Sequence, residues 1–126
     1  MIHLDTSILI EAFTGARRSL FSFRAAQADG HRVTFSAIAL FEWRRGPRTS
    51  AELADQSTLL ADADVVPFGL VEAQTAARLY TRVSRPRGRE ADLAIAATAI
   101  VHGAALWTLN RRDFADIPGL ELHPAR

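Results

Sequence analysis

The chain of 126 residues is long enough for one domain with its own hydrophobic core. Its net charge of +1 is too small to indicate nucleic-acid binding by itself, and the absence of cysteine excludes disulfides, thiolate metal sites and a cysteine nucleophile. All 15 basic residues are arginine, which excludes mechanisms that need a lysine. No apolar run approaches the ~20 residues of a membrane helix, and the first residues do not resemble a signal peptide, so we expect a cytoplasmic protein that does not enter a membrane.

Short apolar runs alternate with helical patterns along the whole chain. Strands are predicted at residues 2–4, 32–35, 65–68 and 105–109, with a last strand at 120–122. Helices are predicted from residue 8 and at 17–28, 37–45, 50–61, 71–83, 91–102 and 110–114. This alternation predicts an α/β fold: a single domain over residues 1–126, built as a three-layer sandwich with a central, mostly parallel sheet of four to five strands flanked by helices.

Asp5 lies where the first strand ends and the first helix begins. Ligands of open parallel sheets bind at that edge, outside the carboxyl ends of the strands. Because Asp is also a favoured N-cap residue, capping is the structural alternative for Asp5.

Glu42 lies within the apolar helix 37–45 and should border its packed side. A buried carboxylate needs a cation or several donors, since an unpaired charge is expensive to bury. A salt bridge to Arg44, Arg45 or another arginine is the alternative to a functional role.

Two further aspartates occupy comparable positions later in the chain. Asp92 opens an alanine-rich helix, where an acid can simply complement the helix dipole, and Glu90 competes with it for a functional role. Asp113 follows the strand 105–109, as Asp5 follows the first strand. Asn110 adds a neutral oxygen ligand or amide donor in the same turn, unless it is an ordinary turn residue.

We predict that these four acids converge. Like charges in one pocket repel each other, so such a pocket would attract a cation. Oxygen-only ligands favour Mg²⁺ or Mn²⁺ over zinc, and the four histidines show no ligand spacing. Such an ion suits phosphodiester hydrolysis, because it activates a water and neutralises charge on the phosphate.

Four segments resemble, in order, the motifs of PIN-domain ribonucleases, in particular the VapC toxins of VapBC toxin–antitoxin modules. The first is Leu-Asp-Thr-Ser-Ile-Leu-Ile at 4–10, and the second runs from Ser36 to Gly46. The third is Ala-Asp-Leu-Ala-Ile-Ala-Ala at 91–97, and the fourth runs from Leu106 to Phe114, followed by Pro-Gly-Leu at 118–120. The likeness covers the chain to about Leu122; Trp107 and Leu109 depart from it, standing where the family often has smaller residues.

The resemblance implies an Mg²⁺-dependent endoribonuclease that leaves a 3′-hydroxyl, with Mn²⁺ as a substitute ion. Its acidic quartet is Asp5, Glu42, Asp92 and Asp113, of which Asp5 and Asp92 are the main metal ligands. Thr6, Ser7 and Asn110 are secondary candidates.

The resemblance also implies a VapB-type antitoxin, a tRNA or rRNA substrate and a homodimer. Arginines near the acids suit a phosphate backbone, with a solvated surface carrying local ion pairs as the alternative for each of them. They are Arg44, Arg45, Arg48, Arg85, Arg87, Arg89, Arg111 and Arg112. Leu20, Phe21, Phe23 and Trp43 are candidates for an antitoxin groove or a dimer face, with core packing as the alternative.

The alternative function is a catalytically silent PIN-fold module that binds RNA or a partner. A receiver domain would need a lysine near its aspartates, and a haloacid-dehalogenase-type phosphatase would need a second acid two residues after Asp5. The chain has neither.

Overall fold

The computed structural model describes residues 1–124 and contains one sheet of four parallel strands. The strands are β1 (Ile2–Leu4), β2 (Val33–Ser36), β3 (Val65–Val66) and β4 (Ala105–Trp107), in the order β3-β2-β1-β4. Leu4 pairs in register with Phe35 on one side and Trp107 on the other. The predicted parallel sheet flanked by helices is confirmed.

Helices connect the strands and flank the sheet: α1 (Thr6–Phe13), α2 (Arg18–Ala28), α3 (Ala37–Arg45), α4 (Ser50–Leu59), α5 (Leu70–Arg82), α6 (Glu90–Val101) and α7 (Arg111–Phe114), with a 3-10 turn at Asp62–Asp64. No helix within residues 1–124 is long and apolar enough to cross a membrane.

The strand order creates a switch point beside β1. The chain runs outward from β1 to β2 and β3, and then returns to the other side of β1 as β4. Crevices outside the carboxyl ends of strands at such a reversal are the usual ligand sites of open α/β sheets. The fold therefore directs attention to the residues that directly follow β1 and β4.

Three predicted strands end differently in the structure. The strand predicted at 65–68 stops at Val66, because Pro67 has no N–H to donate to a neighbouring strand. The strand predicted at 105–109 stops at Trp107, and the N–H of Leu109 donates to the hydroxyl of Ser7 instead. At 120–122 only an isolated parallel bridge between Leu122 and Leu106 forms.

An aromatic cluster fills the core between α1, α2 and α3. The ring of Phe13 lies 6.2 Å from that of Phe23 and 6.0 Å from that of Trp43, between ring centroids. Phe23 and Trp43 are fully buried, so for these two residues the prediction of a binding face is wrong and core packing is right. Phe21, in contrast, is 82% exposed.

The alanine-rich helix α6 is buried on most of its circumference. Residues 93–99 are all buried, and the helix packs against α3, α5, α7 and β4. Small side chains allow this close approach, because an alanine brings the helix backbone near its neighbours. The amino end of α6, which carries Asp92, is thereby held firmly at the carboxyl edge of the sheet.

His3 is a fully buried imidazole in the central strand β1 and gives the fold a pH dependence. Its Nδ1 lies 3.0 Å from the Thr34 hydroxyl, and its Nε2 has no hydrogen-bond partner within residues 1–124. Burial, with a smaller contribution from the charge of His102, lowers the pKa of His3 from 6.5 to about 4. The imidazole is therefore neutral in the folded protein at pH 5, whereas it is charged in the unfolded chain.

We expect protonation of His3 to lower the free energy of unfolding as the pH falls. Because the folded pKa lies below the unfolded one, the contribution of His3 is complete above pH 6.5, and up to about 3 kcal/mol is lost by pH 4. Urea unfolding of wild type and of His3→Val at a series of pH values measures this contribution. Between pH 6.5 and 4 the free energy of unfolding of the variant should rise relative to that of wild type, whatever the difference at pH 7; a difference that does not change with pH contradicts the assignment to His3.

Candidate active site

Asp5 directly follows β1 and is 3% exposed. Although it occupies the N-cap position of α1, its side chain makes no capping hydrogen bond. Its Oδ2 instead accepts hydrogen bonds from the hydroxyls of Ser7, at 2.8 Å, and Thr108, at 2.7 Å. Both hydroxyl protons are thus used on one oxygen, and Oδ1 makes no hydrogen bond within residues 1–124. Asp5 therefore presents an oriented, partly desolvated carboxylate with one free oxygen.

Glu42 lies on α3, which begins directly after β2 with Ser36 as its N-cap. Its Oε1 accepts a hydrogen bond of 2.7 Å from the hydroxyl of Thr6, the first residue of α1. Its Oε2 lies 3.7 Å from a guanidinium nitrogen of Arg45, which is mostly exposed. The predicted alternative of a salt bridge is therefore present, but the contact is long and solvent-screened. Thr6 ties Glu42 to the same helix start as Asp5.

Asp92 lies in the first turn of α6, and its carboxylate makes no hydrogen bond or ion pair within residues 1–124. Partial burial is the main cause that raises the pKa of the Asp92 carboxyl from 3.8 to about 6. Three negative charges add to this effect, those of Asp5, Glu42 and Asp113, and the charge of Arg89 opposes it. The four predicted acids therefore lie close enough for electrostatic interaction.

Glu90, the competing acid on α6, is placed elsewhere. It is exposed, and its carboxylate accepts hydrogen bonds from the backbone N–H of Gly88. Gly88 has φ +86°, a left-handed conformation that strains other residues, and it forms the turn before the helix. Glu90 thus stabilises a turn and is not among the charges that act on Asp92.

Asp113 and Asn110 are exposed residues beyond β4. Asn110 is the N-cap residue of α7, yet its side chain makes no capping hydrogen bond. The carboxylate of Asp113 forms no ion pair within residues 1–124, although its backbone carbonyl accepts a hydrogen bond of 2.9 Å from Arg89. Both side chains therefore remain available to a ligand.

Thr108 is a functional candidate that the sequence motifs did not single out. It is 1% exposed, donates to Asp5, and accepts a hydrogen bond of 2.9 Å from the backbone N–H of Asn110. A hydroxyl residue between a buried strand and a turn asparagine was the available signal. Thr108 connects the end of β4 to the carboxylate at the end of β1.

Arg89 connects the acidic site to α7. It makes a bidentate ion pair with Asp116, at 2.6 and 3.0 Å, and donates to the backbone carbonyls of Ser84 and Asp113. The sequence analysis grouped Arg89 with several arginines that suit a phosphate backbone, and no sequence motif indicated a role for Asp116. In the structure, Arg89 is a fixed link between the segment before α6 and the segment that carries Asp113.

The donor set of this site is compatible with a hard divalent ion. All candidate ligands are oxygens, and the negative charges of three neighbouring carboxylates add to burial in raising the pKa of Asp92. Within residues 1–124 no three acidic or histidine side chains are arranged to enclose a metal ion by themselves. Mg²⁺ usually keeps several waters and takes one or two carboxylates from the protein, so two acids from this set are sufficient.

The fold and this site define a class: parallel α/β domains with a cluster of acids near the switch point of the sheet. Within that class, the chain belongs to the PIN domain family, which it matches over residues 2–120.

Individual relatives carry related names. The chain is 46% identical over 61 residues to Ribonuclease VapC1 of Rickettsia felis, covering 46% of this chain and 45% of that protein. It is 40% identical over 60 residues to Ribonuclease VapC of Rickettsia bellii, again covering 46% of this chain and 45% of that protein. The match thus spans less than half the length of these curated relatives.

Solved structures resemble the chain over its whole length. One is VapBC2 from Rickettsia felis bound to a DNA fragment from its promoter, with a TM-score of 0.80, 25% identity and 98% of each chain covered. Another is a toxin–antitoxin complex from Klebsiella pneumoniae, with a TM-score of 0.75, 26% identity, and 100% of this chain and 99% of that chain covered.

Proposed function

We propose that this protein is a metal-dependent endoribonuclease that acts as the toxin of a type II toxin–antitoxin system. This function depends on the observation that three other carboxylates, those of Asp5, Glu42 and Asp113, act electrostatically on the partly buried Asp92 near the switch point of the sheet. Like charges that act on one another cost stability, and binding of a cation for catalysis would offset that cost. Membership of the PIN domain family and the relatives named ribonuclease support the same function.

Asp5 and Asp92 are the residues we assign as direct ligands of Mg²⁺, for which Mn²⁺ can substitute. Asp5 offers a free oxygen whose carboxylate is oriented by Ser7 and Thr108, and Asp92 makes no competing contact within residues 1–124. When bound, the ion activates a water for attack on the phosphodiester and neutralises charge on the phosphate.

The remaining acids complete the pocket. To Glu42, which the Thr6 hydroxyl orients, we assign the role of accepting a proton from water or positioning that water. Asp113 approaches the site from α7, and the amide of Asn110 is available to hydrogen-bond the substrate.

The proposed partners are those of the similar proteins. We propose that the chain binds a VapB-type antitoxin, since the similar solved structures include toxin–antitoxin complexes, and that it forms a homodimer in the cytoplasm. The exposed side chain of Phe21 is a candidate contact for either partner. The proposed substrate is tRNA or rRNA.

The test of this function is cleavage of RNA by the purified protein. The protein, freed of antitoxin, should cut tRNA or rRNA in the presence of Mg²⁺ or Mn²⁺ and stop when EDTA is added. Absence of cleavage of both RNAs with either ion, by folded protein, would favour the catalytically silent module. Arrest of growth on expression, relieved by the antitoxin, tests the role as a toxin.

Thr108→Val should weaken this activity without changing the fold. Removing a partner that orients a metal ligand typically costs about 10–100-fold in metal affinity or activity, and the hydroxyl of Thr108 is one of two that hold Asp5. Titration of the cleavage rate with Mg²⁺ measures the expected rise in the ion concentration required. Thr108→Ser keeps the hydroxyl and should restore most of the affinity; equal effects of Val and Ser would contradict an orienting role.

A further inference from the structure

A second concave feature lies next to the acidic site, between the α5–α6 connection and α7. It is a cleft of about 370 Å³ lined by Ser84, Arg85, Arg89, Arg112, Asp113 and Asp116, and we call it the arginine cleft. Asp113 belongs both to this cleft and to the acidic quartet. The cleft therefore adjoins the site where we place the cleavage of RNA.

The walls of the arginine cleft are fixed by Arg89. Its guanidinium donates to the carbonyl of Ser84 on one side, at 3.0 Å, and to the carbonyl of Asp113 on the other, at 2.9 Å. The same group pairs with both carboxylate oxygens of Asp116, whose charge it neutralises. Arg89 thus has a structural role in the cleft. Because its charge and that of Asp116 cancel, neither contributes to the net charge of the cleft.

Two cations of the cleft remain uncommitted. Arg85 and Arg112 are exposed, and neither pairs with a carboxylate within residues 1–124. Arg85 adopts φ +53°, a left-handed conformation that is uncommon for a residue other than glycine. The turn that places this side chain in the cleft is anchored at the preceding residue, Ser84, by Arg89.

We propose that the arginine cleft binds a phosphate of the RNA backbone that flanks the bond to be cut, through Arg85 and Arg112. This rests on the proposed function of the adjoining acidic site. A guanidinium presents a planar fork of donors that matches phosphate oxygens. With Asp116 neutralised, Asp113 is the one other acid among the described residues that line the cleft, so the two free cations leave it positively charged for an anionic strand.

The arrangement also offsets an electrostatic disadvantage of the acidic site. The four carboxylates repel the RNA strand, and a divalent ion bound between them would neutralise only the phosphate that it contacts. Arg85 and Arg112, in the adjoining arginine cleft, would attract the strand and fix its register before cleavage. Contacts to phosphates position a nucleic acid without reading its sequence.

The experiment compares two double variants that lose the same charge. Arg85→Gln/Arg112→Gln empties the cleft of free cations. Arg24→Gln/Arg32→Gln removes two exposed, unpaired arginines from α2 and from the segment before β2, away from the carboxyl edge of the sheet. Binding of a short, fluorescein-labelled single-stranded RNA of mixed sequence is measured by anisotropy over a series of salt concentrations. Adding Asp5→Asn to each protein prevents cleavage during the measurement.

The cleft variant should bind several-fold more weakly than the control variant. Its slope of log affinity against log salt should become shallower by about 0.7 for each phosphate that the protein no longer neutralises. With Asp5 restored, the decrease in cleavage should fall on KM more than on kcat. Thermal unfolding of both variants should match that of the parent, because none of the four arginines pairs with a carboxylate within residues 1–124.

The outcomes separate the arginine cleft from the proposed nuclease function. Equal affinities and salt slopes of the two double variants overturn the cleft, even if the wild-type protein cleaves RNA. Failure of the wild-type chain to bind the RNA also overturns it. If the wild-type chain cleaves no RNA but the cleft variant binds more weakly than the control, the cleft is supported and the nuclease function is not.

Discussion

Asp5→Asn should reduce RNA cleavage on the order of 10³-fold, because a metal ion contributes several kcal/mol to stabilising the transition state. The substitution is nearly isosteric. The amide oxygen can accept the hydrogen bonds from Ser7 and Thr108, as Oδ2 of Asp5 does, while the amide nitrogen replaces the free Oδ1. The change therefore removes one proposed ligand oxygen and one charge but keeps the local structure.

The measurement is the rate of Mg²⁺-dependent cleavage under single-turnover conditions. Asp62→Asn is the matched control, since Asp62 is exposed in the 3-10 turn before β3 and makes no ion pair within residues 1–124. Asp5→Ala is less suitable, because it leaves two hydroxyls without their acceptor. Undiminished cleavage by folded Asp5→Asn protein would refute the assignment of Asp5 as a ligand.

The position of Asp5 was predictable because it depends on local pattern. A three-residue apolar run followed by Asp-Thr-Ser marks a strand that ends and a helix that begins, and alternation of strands and helices implies a parallel sheet. Parallel strands end at one edge, so an acid after β1 and an acid beyond β4 had to lie near each other once β4 paired with β1. That pairing itself is a long-range property that periodicity does not encode.

The contacts that orient the acids were not predictable in the same way. The apolar neighbours Trp107 and Leu109 predict Thr108 as part of a strand, whereas its hydroxyl serves a carboxylate 103 residues away. Likewise, Arg85, Arg87 and Arg89 are equivalent in sequence, and only the position of α7 selects Arg89 as the partner of Asp116. Side-chain pairing of this kind depends on tertiary distances, which sequence spacing does not determine.

Asp92→Asn should stabilise the protein in the absence of metal and remove its response to Mg²⁺. The folded pKa of Asp92, about 6, lies above its ordinary value of 3.8, so the protonated carboxyl favours folding. That stability is fully present below pH 3.8 and is lost as the pH rises through 6. At pH 7.5 an amide, which is permanently neutral, should recover about 1–2 kcal/mol after a discount for the partial exposure of the group.

Mg²⁺ should stabilise wild type relative to Asp92→Asn, which is the opposite of the order expected without metal. Binding to the folded state alone stabilises by about 2.7 kcal/mol at a concentration 100 times the dissociation constant, so wild type should gain stability and Asp92→Asn should not.

Thermal or urea unfolding of both proteins is measured in EDTA and in Mg²⁺, each at pH 7.5 and at pH 4. These four conditions separate the effect of the metal from the effect of protonation. At pH 4 the advantage of the variant should nearly vanish, because the wild-type carboxyl is then protonated. An advantage that persists at pH 4 would show that Asn packs better, and that the gain does not come from removing a partly buried charge that its neighbours repel. An equal response of both proteins to Mg²⁺ would place the ion elsewhere.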